Sequence, residues 1–275
     1  ATVTVLDTVS PTVICNDTTL YLPLSGSITI DTSFIFISAN DNCTIDSIWT
    51  NDTLYDCNNI GTTQATIYAR DASGNISSCI ANVTVLDTIA PQVMCRDTTI
   101  YLNNIGQATI DTSFVLTSIN ENCALDTAWI DNTIFTCLDS GQNTVTVYVR
   151  DAQGNTDSCQ STVTVLDSIP PIPVCTNFTI YLDTNGQASI TVGDIDGGST
   201  DNCAIVSTTI NINTFDCSLI GVNMVTLTVT DDYGNQSACI AYQTRRFNTC
   251  IVGPYIHNVI LLQKIKRRLH ELSRG

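Results

Sequence analysis

The sequence predicts an all-β protein: three tandem β-sandwich domains of 80 residues each, followed by a basic C-terminal tail of different character. Three observations carry that expectation. Cysteines fall on a strict grid, Cys15, Cys43, Cys57 and Cys79 returning 80 residues later as Cys95, Cys123, Cys137 and Cys159, then as Cys175, Cys203, Cys217 and Cys239. Self-similarity at a fixed period is the signature of a repeat architecture. Apolar residues alternate with polar ones, as in Val145, Val147 and Val149 against Thr144, Thr146 and Tyr148, which is the period of a half-buried strand. Of the 26 acidic residues only Glu121 and Glu271 are glutamates, and aspartate favours turns over helix interiors.

In chain order, residues 1–8 contain Val3-Thr4-Val5-Leu6-Asp7, the words that also end the first two repeats as Val83 to Asp87 and Val163 to Asp167. This opening is expected to be a strand that completes a preceding module. Residues 9–87, 88–167 and 168–244 form the three domains. Each is divided by turn signals: Gly26, Gly106 and Gly186 in one loop, Gly61, Gly141 and Gly221 in another, and an Asp-x-x-Gly-Asn turn at Asp71, Asp151 and Asp231. About seven short strands per unit are expected, an antiparallel sandwich. Residues 245–275 form the tail, where Leu261, Leu262, Ile265, Leu269 and Leu272 follow helical spacing among Lys264, Lys266, Arg267 and Arg268. Its abrupt composition fits either a basic amphipathic helix or misassigned sequence.

Units this small bury a modest core, so covalent staples are physically expected. Their cysteine density places the chain in an oxidising space, extracellular or at a cell surface. Up to Thr244 there are 25 acidic and 3 basic residues, a net of −22, which excludes a nucleic-acid partner because phosphate is repelled. No apolar run is long enough for a transmembrane segment. The only histidines, His257 and His270, lie in the tail, and no nucleophile in the repeats has a base partner, so an enzyme is not expected.

The string Pro91-x-x-x-Cys95, Gly106, Asn122-Cys123, Phe135-x-Cys137, Gly141, Val145-Thr146, Asp151-x-x-Gly154-Asn155, Cys159, Val163-Thr164-Val165-x-Asp167 resembles the hyalin repeat (HYR) family, in particular its bacterial surface modules. The resemblance covers Val3 to about Ile240. It implies an immunoglobulin-like sandwich used in adhesion or as a spacer, with no catalytic residues. Four cysteines allow three pairings, which spacing alone does not resolve. The implied topology favours first with fourth and second with third, the latter across a hairpin at Asp131-Asn132. Cys250 is left over.

The third repeat departs from the pattern at its end. Positions equivalent to Val163, Val165 and Asp167 hold Gln243, Arg245 and Phe247. Each lost valine forfeits roughly 1.5–3 kcal/mol of burial. A poorly closed last sandwich and a spare first strand, carried by Val3 and Val5, suggest head-to-tail self-association by strand donation. The chain is then the structural subunit or segment of a bacterial extracellular filament. The alternatives are an excerpt of a longer repeat protein, or an adhesin stalk that binds glycan or protein with calcium. The linker Leu86 to Pro91 is short, so a semi-rigid rod is expected either way.

No cofactor is required, but calcium is a candidate at the domain junctions. Asp87, Glu121, Asn122, Asp151 and Asn155, and equally Asp167, Asp201, Asn202, Asp231 and Asn235, bring hard oxygen donors toward each linker, and Asp7 with Asp41, Asn42, Asp71 and Asn75 is the equivalent set at the first module. The simpler role of Asp-x-x-Gly-Asn is a tight turn capped by its own side chains. Covalent glycans are also expected. Asn-x-Ser/Thr triplets occur at Asn16, Asn51, Asn82 and Asn177 among others. Asp-Thr or Asp-Ser signals occur at Thr8, Thr18, Thr53, Thr88, Thr98, Thr127 and Ser168.

Overall fold

A computed structural model describes residues 1–219 and 221–243. The basic tail with its expected helix, Cys250, and positions 245 and 247 lie outside the described residues. The fold is all-β, and each repeat is one small sandwich. The first contains β1 (Thr12–Cys15), β2 (Thr18–Tyr21), β3 (Ser27–Thr29), β4 (Phe36–Asn40), β5 (Ile45–Thr50), β6 (Leu54–Asp56), β7 (Gly61–Asp71) and β8 (Ile76–Leu86). That is eight strands where about seven were expected, because the short β3 and β6 form a ladder of their own.

The main sheet has the order β2-β8-β7-β5. β5, β7 and β8 are antiparallel, whereas β2 runs parallel to β8, with Thr18 opposite Val83 and Leu20 opposite Val85. The ladders β1–β4 and β3–β6 lie across the core from it. Period-two alternation decides which side chains go in. Ala65, Ile67, Ala81, Val83 and Val85 are fully buried against Leu20, Leu22, Ile30, Ile35 and Tyr55. On the outer face, Trp49 of β5 stacks on Tyr68 directly opposite on β7, with ring centroids 5.4 Å apart.

All eight strands recur 80 residues later, from Gln92–Cys95 to Thr156–Leu166. Phe135, Val145, Val147, Val149, Val163 and Val165 are fully buried there. Chain contacts group into two compact units, one of Ala1–Thr98, Thr109–Thr133 and Gln142–Thr164, the other of Thr99–Ala108, Ile134–Gly141 and the residues from Val165.

The third repeat keeps the register and loses much of the ladder. Its counterparts of β1, β2 and β4 shrink to single bridges, Ile172 with Thr200, Cys175 with Asp196 and Phe178 with Gln243. Pro173, standing where the second repeat has Val93, removes a ladder donor, and Asp196, Gly197 and Gly198 replace Leu116, Thr117 and Ser118 in the facing strand. Its last strand, Gln236–Gln243, pairs with Asn223–Asp231, and Gln243 is buried where Val83 and Val163 stand in the other repeats.

The cysteine pairing corrects half of the expectation. First joins fourth within each repeat, as Cys15–Cys79, Cys95–Cys159 and Cys175–Cys239. Second does not join third. Instead Cys57 is bonded to Cys123 and Cys137 to Cys203, so the third cysteine of one repeat binds the second of the next. The error lay in reading a hairpin. β5 pairs with β7 while β6 pairs with β3, so the chain crosses between ladders and carries Cys57 on to the far end of the sandwich from Cys43. Cys43 is a free, exposed thiol, and Cys217 is disulfide-bonded.

Two expected outcomes follow. Peptide mapping without reduction should recover Cys57 linked to Cys123, and Cys57→Ser should lower the denaturation midpoint by the equivalent of about 2–4 kcal/mol, the usual cost of a lost disulfide. Recovery of Cys43 linked to Cys57 would overturn the pairing. The second concerns acid. Asp17 is held below the usual carboxylate range by the Asn82 backbone N–H and then its side-chain amide, Asp31 and Asp111 by the hydroxyl and N–H of Ser33 and Ser113, and Asp183 by the Gln187 N–H. Depressed folded values mean this stability is present above the unfolded carboxylate value of about 4 and is lost as pH falls through the folded one. Urea midpoints should therefore hold from about pH 7 to 5 and fall below about 4; a midpoint unchanged at low pH would remove these caps from the account.

Candidate functional site at the module junctions

Each linker is gripped by the turn of the module that follows it. Asp151 Oδ1 accepts from the Gln153 and Asn155 amides at 2.9 and 2.8 Å, and its Oδ2 accepts from Asn155 Nδ2 at 2.7 Å. Gly154, at φ 93°, supplies the left-handed residue that closes the turn. Asn155 Nδ2 also donates to the Asp87 carbonyl at 3.2 Å, which pins the linker to the turn. Asn235 repeats this with Asp231 and Asp167 at 2.8 and 3.2 Å. The capped turn anticipated from the sequence is thus built, and Asn155 and Asn235 serve in it as N–H donors.

The acidic side chains come together at each junction. Asp87, Glu121 and Asp151 bring oxygens within 4.8 Å of one another, and Asp167, Asp201 and Asp231 do the same. Asp87 Oδ1 accepts from Ile89 N and Asn122 Nδ2, leaving Oδ2 buried without a partner. Glu121 Oε1 accepts from the Asn122 and Cys123 amides, leaving Oε2 in the same state. Asn122 Oδ1 is a third buried oxygen without a donor, and Asp167 Oδ2, Asp201 Oδ1 and Asn202 Oδ1 are its counterparts at the other junction.

On the other side of each junction, Gly26 and Gly106 receive the backbone of the next module. A Cβ on Gly26 would collide with the Asn122 carbonyl, and one on Gly106 with that of Asn202. Cys57 and Cys137 sit beside these glycines and make the covalent links. Tyr233 adds an O–H donated to the Cys137 carbonyl at 3.3 Å.

The N-terminal pole of the first module carries the same grip. Asn75 Nδ2 donates to the carbonyls of Asp7 and Val9 at 3.1 and 3.2 Å, and Asn42 Nδ2 to Asp7 Oδ1 at 3.2 Å. Asp7 lies below the usual carboxylate range because of the Val9 N–H and then Asn42, and it raises the Cys43 thiol above its ordinary value by hydrogen bonding and charge. Ahead of Asp7 the chain forms no strand. Val3 and Val5 are 87% and 89% exposed.

None of the expected glycan positions is buried: Asn16, Asn51, Asn82, Asn177, Thr8, Thr53, Thr88 and Ser168 are exposed, and Thr18, Thr98 and Thr127 partly so. Asn82 already donates its amide to Asp17 at 3.1 Å.

These features define a class, a tandem immunoglobulin-like β-sandwich repeat protein of the extracellular space or cell surface, stapled by five described disulfides. No helix among the described residues is long and apolar enough to cross a membrane. No protein-family description and no curated protein matches the chain. Among solved structures it is similar to protocadherin gammaB7 domains EC3-6, at 12% identity over 83% of this chain and 72% of that one with a TM-score of 0.31. It is also similar to titin domains I67-I69, at 10% identity over 86% and 99% with a TM-score of 0.35, and to mouse cadherin-23 EC22-24, at 10% over 86% and 99% with a TM-score of 0.34. Likenesses of this size assign nothing further to the chain.

The turn-and-linker grip is testable by itself. Asn155→Ala strands the Asp87 carbonyl and should cost about 1–3 kcal/mol in denaturant unfolding, the range for an unpaired buried acceptor. Asn75→Ala, which removes the equivalent cap on Asp71 but otherwise grips only the Asp7 and Val9 carbonyls of the leading segment, should cost less. Equal losses would contradict the proposed role of Asn155.

Proposed function

We propose that the chain is a structural segment of an extracellular filament whose hyalin-repeat-like modules continue from one copy to the next, the leading strand of each copy completing the last sandwich of the copy before it. The observation that carries this reading is the burial of Gln243, with Nε2 lacking a partner, at the position where Val83 and Val163 fill the other two cores. The first residues, meanwhile, carry the missing valines fully in solvent.

The 80-residue register says how the two would fit. Val3 would stand opposite Phe178 and Asn223, as Val83 stands opposite Thr18 and Thr63, and Val5 opposite Ile180 and Gly221, as Val85 stands opposite Leu20 and Gly61. The receiving module's own strand through Tyr242 would stay in place, so its Cys175–Cys239 bond would be undisturbed. Ile180 and Leu182, half-buried where Leu20, Leu22, Ile100 and Leu102 are buried, would gain cover. A cavity of about 450 Å³ lined by Asp183, Gln187, Thr214, Phe215 and Asp216 lies at the pole where the first two modules receive their successors. The formed grip on Asp7 and the free Cys43, whose counterparts Cys123 and Cys203 are bonded to a preceding module, also fit a predecessor.

The test is assembly of the full chain, followed by light scattering and electron microscopy. Long fibres are expected for the unaltered chain. Short particles are expected for Val3→Asp/Val5→Asp, and on addition of a peptide copying Ala1 to Thr8 as a cap. A chain that stays monomeric at high concentration, or fibres indifferent to both the variant and the peptide, would overturn strand donation.

A further inference from the structure

We propose that both described module junctions, Asp87/Glu121/Asp151 and Asp167/Asp201/Asp231, are binding sites for a divalent cation of the calcium class, with Asn122 and Asn202 supplying amide oxygens. The inference does not depend on assembly between copies.

The first argument is charge. Each junction gathers three carboxylates, two of them with residues at most 6% exposed: Asp87 at 6% and Asp151 at 1%, then Asp167 at 6% and Asp231 at 1%. Three acids this close repel one another, and burial strengthens the repulsion. The described residues contain three basic side chains, and all are engaged elsewhere. Arg70 pairs with Asp46 and Arg150 with Asp126, while Arg96 donates to the carbonyls of Ser113 and Phe114. Among the described residues no side-chain cation compensates either cluster.

The second argument is unspent acceptors. A buried carboxylate oxygen without a donor is costly, yet Asp87 Oδ2, Glu121 Oε2 and Asn122 Oδ1 are all buried without one. The same holds for Asp167 Oδ2, Asp201 Oδ1 and Asn202 Oδ1. In Asp87 and Glu121 one oxygen is fixed by structural N–H groups while the other is left over. That division orients the free oxygens without needing the ion, and it occurs twice, 80 residues apart.

The third argument is donor chemistry. Every donor is a hard oxygen, and the neighbouring Cys123 and Cys203 are tied up in disulfides, so thiolate-seeking metals find no ligand. Three carboxylates and an amide, with water completing the shell, suit calcium's six to eight oxygens better than magnesium's strict octahedron. Extracellular sites of this kind bind at about 10⁻⁴–10⁻³ M.

The experiment is thermal unfolding of the full chain after removal of metal, read against calcium, magnesium and potassium chlorides at matched ionic strength, with calorimetric titration of calcium alongside. Calcium at about 10 mM should raise Tm by roughly 5 °C or more, magnesium should do less and potassium nothing. Asp87→Asn/Asp167→Asn should abolish the rise and the heat of binding. Glu121→Gln/Asp201→Asn, which keeps amide oxygens to accept the loop N–H groups, should weaken binding at least tenfold and serves if the first pair folds poorly. Absence of a calcium effect on the unaltered chain, an equal effect of magnesium, or an undiminished effect in the variants would each overturn the proposal.

Discussion

The structure depends on one constraint: the second and third modules are each closed at the N-terminal pole by residues of the module before. Cys57 and Cys137 reach forward to Cys123 and Cys203, and the Asp87 and Asp167 carbonyls are held by Asn155 and Asn235 of the module ahead. An 80-residue sandwich has a core of about ten buried side chains, which is little to offset the entropy of ordering the chain. The intramodule bond from first strand to last removes part of that entropy from the unfolded state, by about 4 kcal/mol for a loop of this length in the chain-entropy account. The intermodule bond does the same for the pair, so neighbouring modules share stability as repeats in arrays do.

This sharing explains the fixed spacing. Cys57 must meet Cys123 while Gly26 admits the Asn122 carbonyl and Asn155 reaches Asp87, all within one junction. Inserting a residue between them would break at least one of the three contacts. The glycines at 26 and 106 are required twice over, by their positive φ of 70° and 71° and by the backbone that presses against them. Gly186 has the same conformation, at φ 76°, with only the Cys217 sulfur near its Cβ position. The third module therefore keeps the local form of a receiving pole.

Much of the fold was legible because it lives in short-range pattern. Alternation at Val145, Val147 and Val149 dictated buried strands, and the Asp-x-x-Gly-Asn turn followed from residues whose side chains cap their own backbone. Gln243 lies buried at the position that the valine register gave it, whereas the ladder losses at Pro173 and at Gly197-Gly198 were missed. What the sequence left hidden was long-range. The Cys57–Cys123 bond depends on β6 leaving the sheet of β5, a choice set by packing rather than by any residue in the Asp131-Asn132 type of turn. The acidic junction was visible as a coincidence of equivalent positions, whereas the unpaired oxygens of Asn122 and Asn202 required the folded loop.

The junction also reconciles two demands that ordinarily conflict. Chains with a strongly acidic surface resist non-specific association, at the cost of self-repulsion in the compact state. Here that repulsion is greatest where three carboxylates meet at each linker, the place a serial array must hold firm. A hydrophobic junction would avoid the repulsion but would expose an apolar patch on any module lacking its neighbour. Polar grips such as Asn155 on Asp87 and Asn235 on Asp167 are directional and need no apolar patch at the linker. The same logic accounts for Cys43: with its thiol raised by Asp7, little thiolate is present near neutrality, so the sulfur reacts slowly with stray partners.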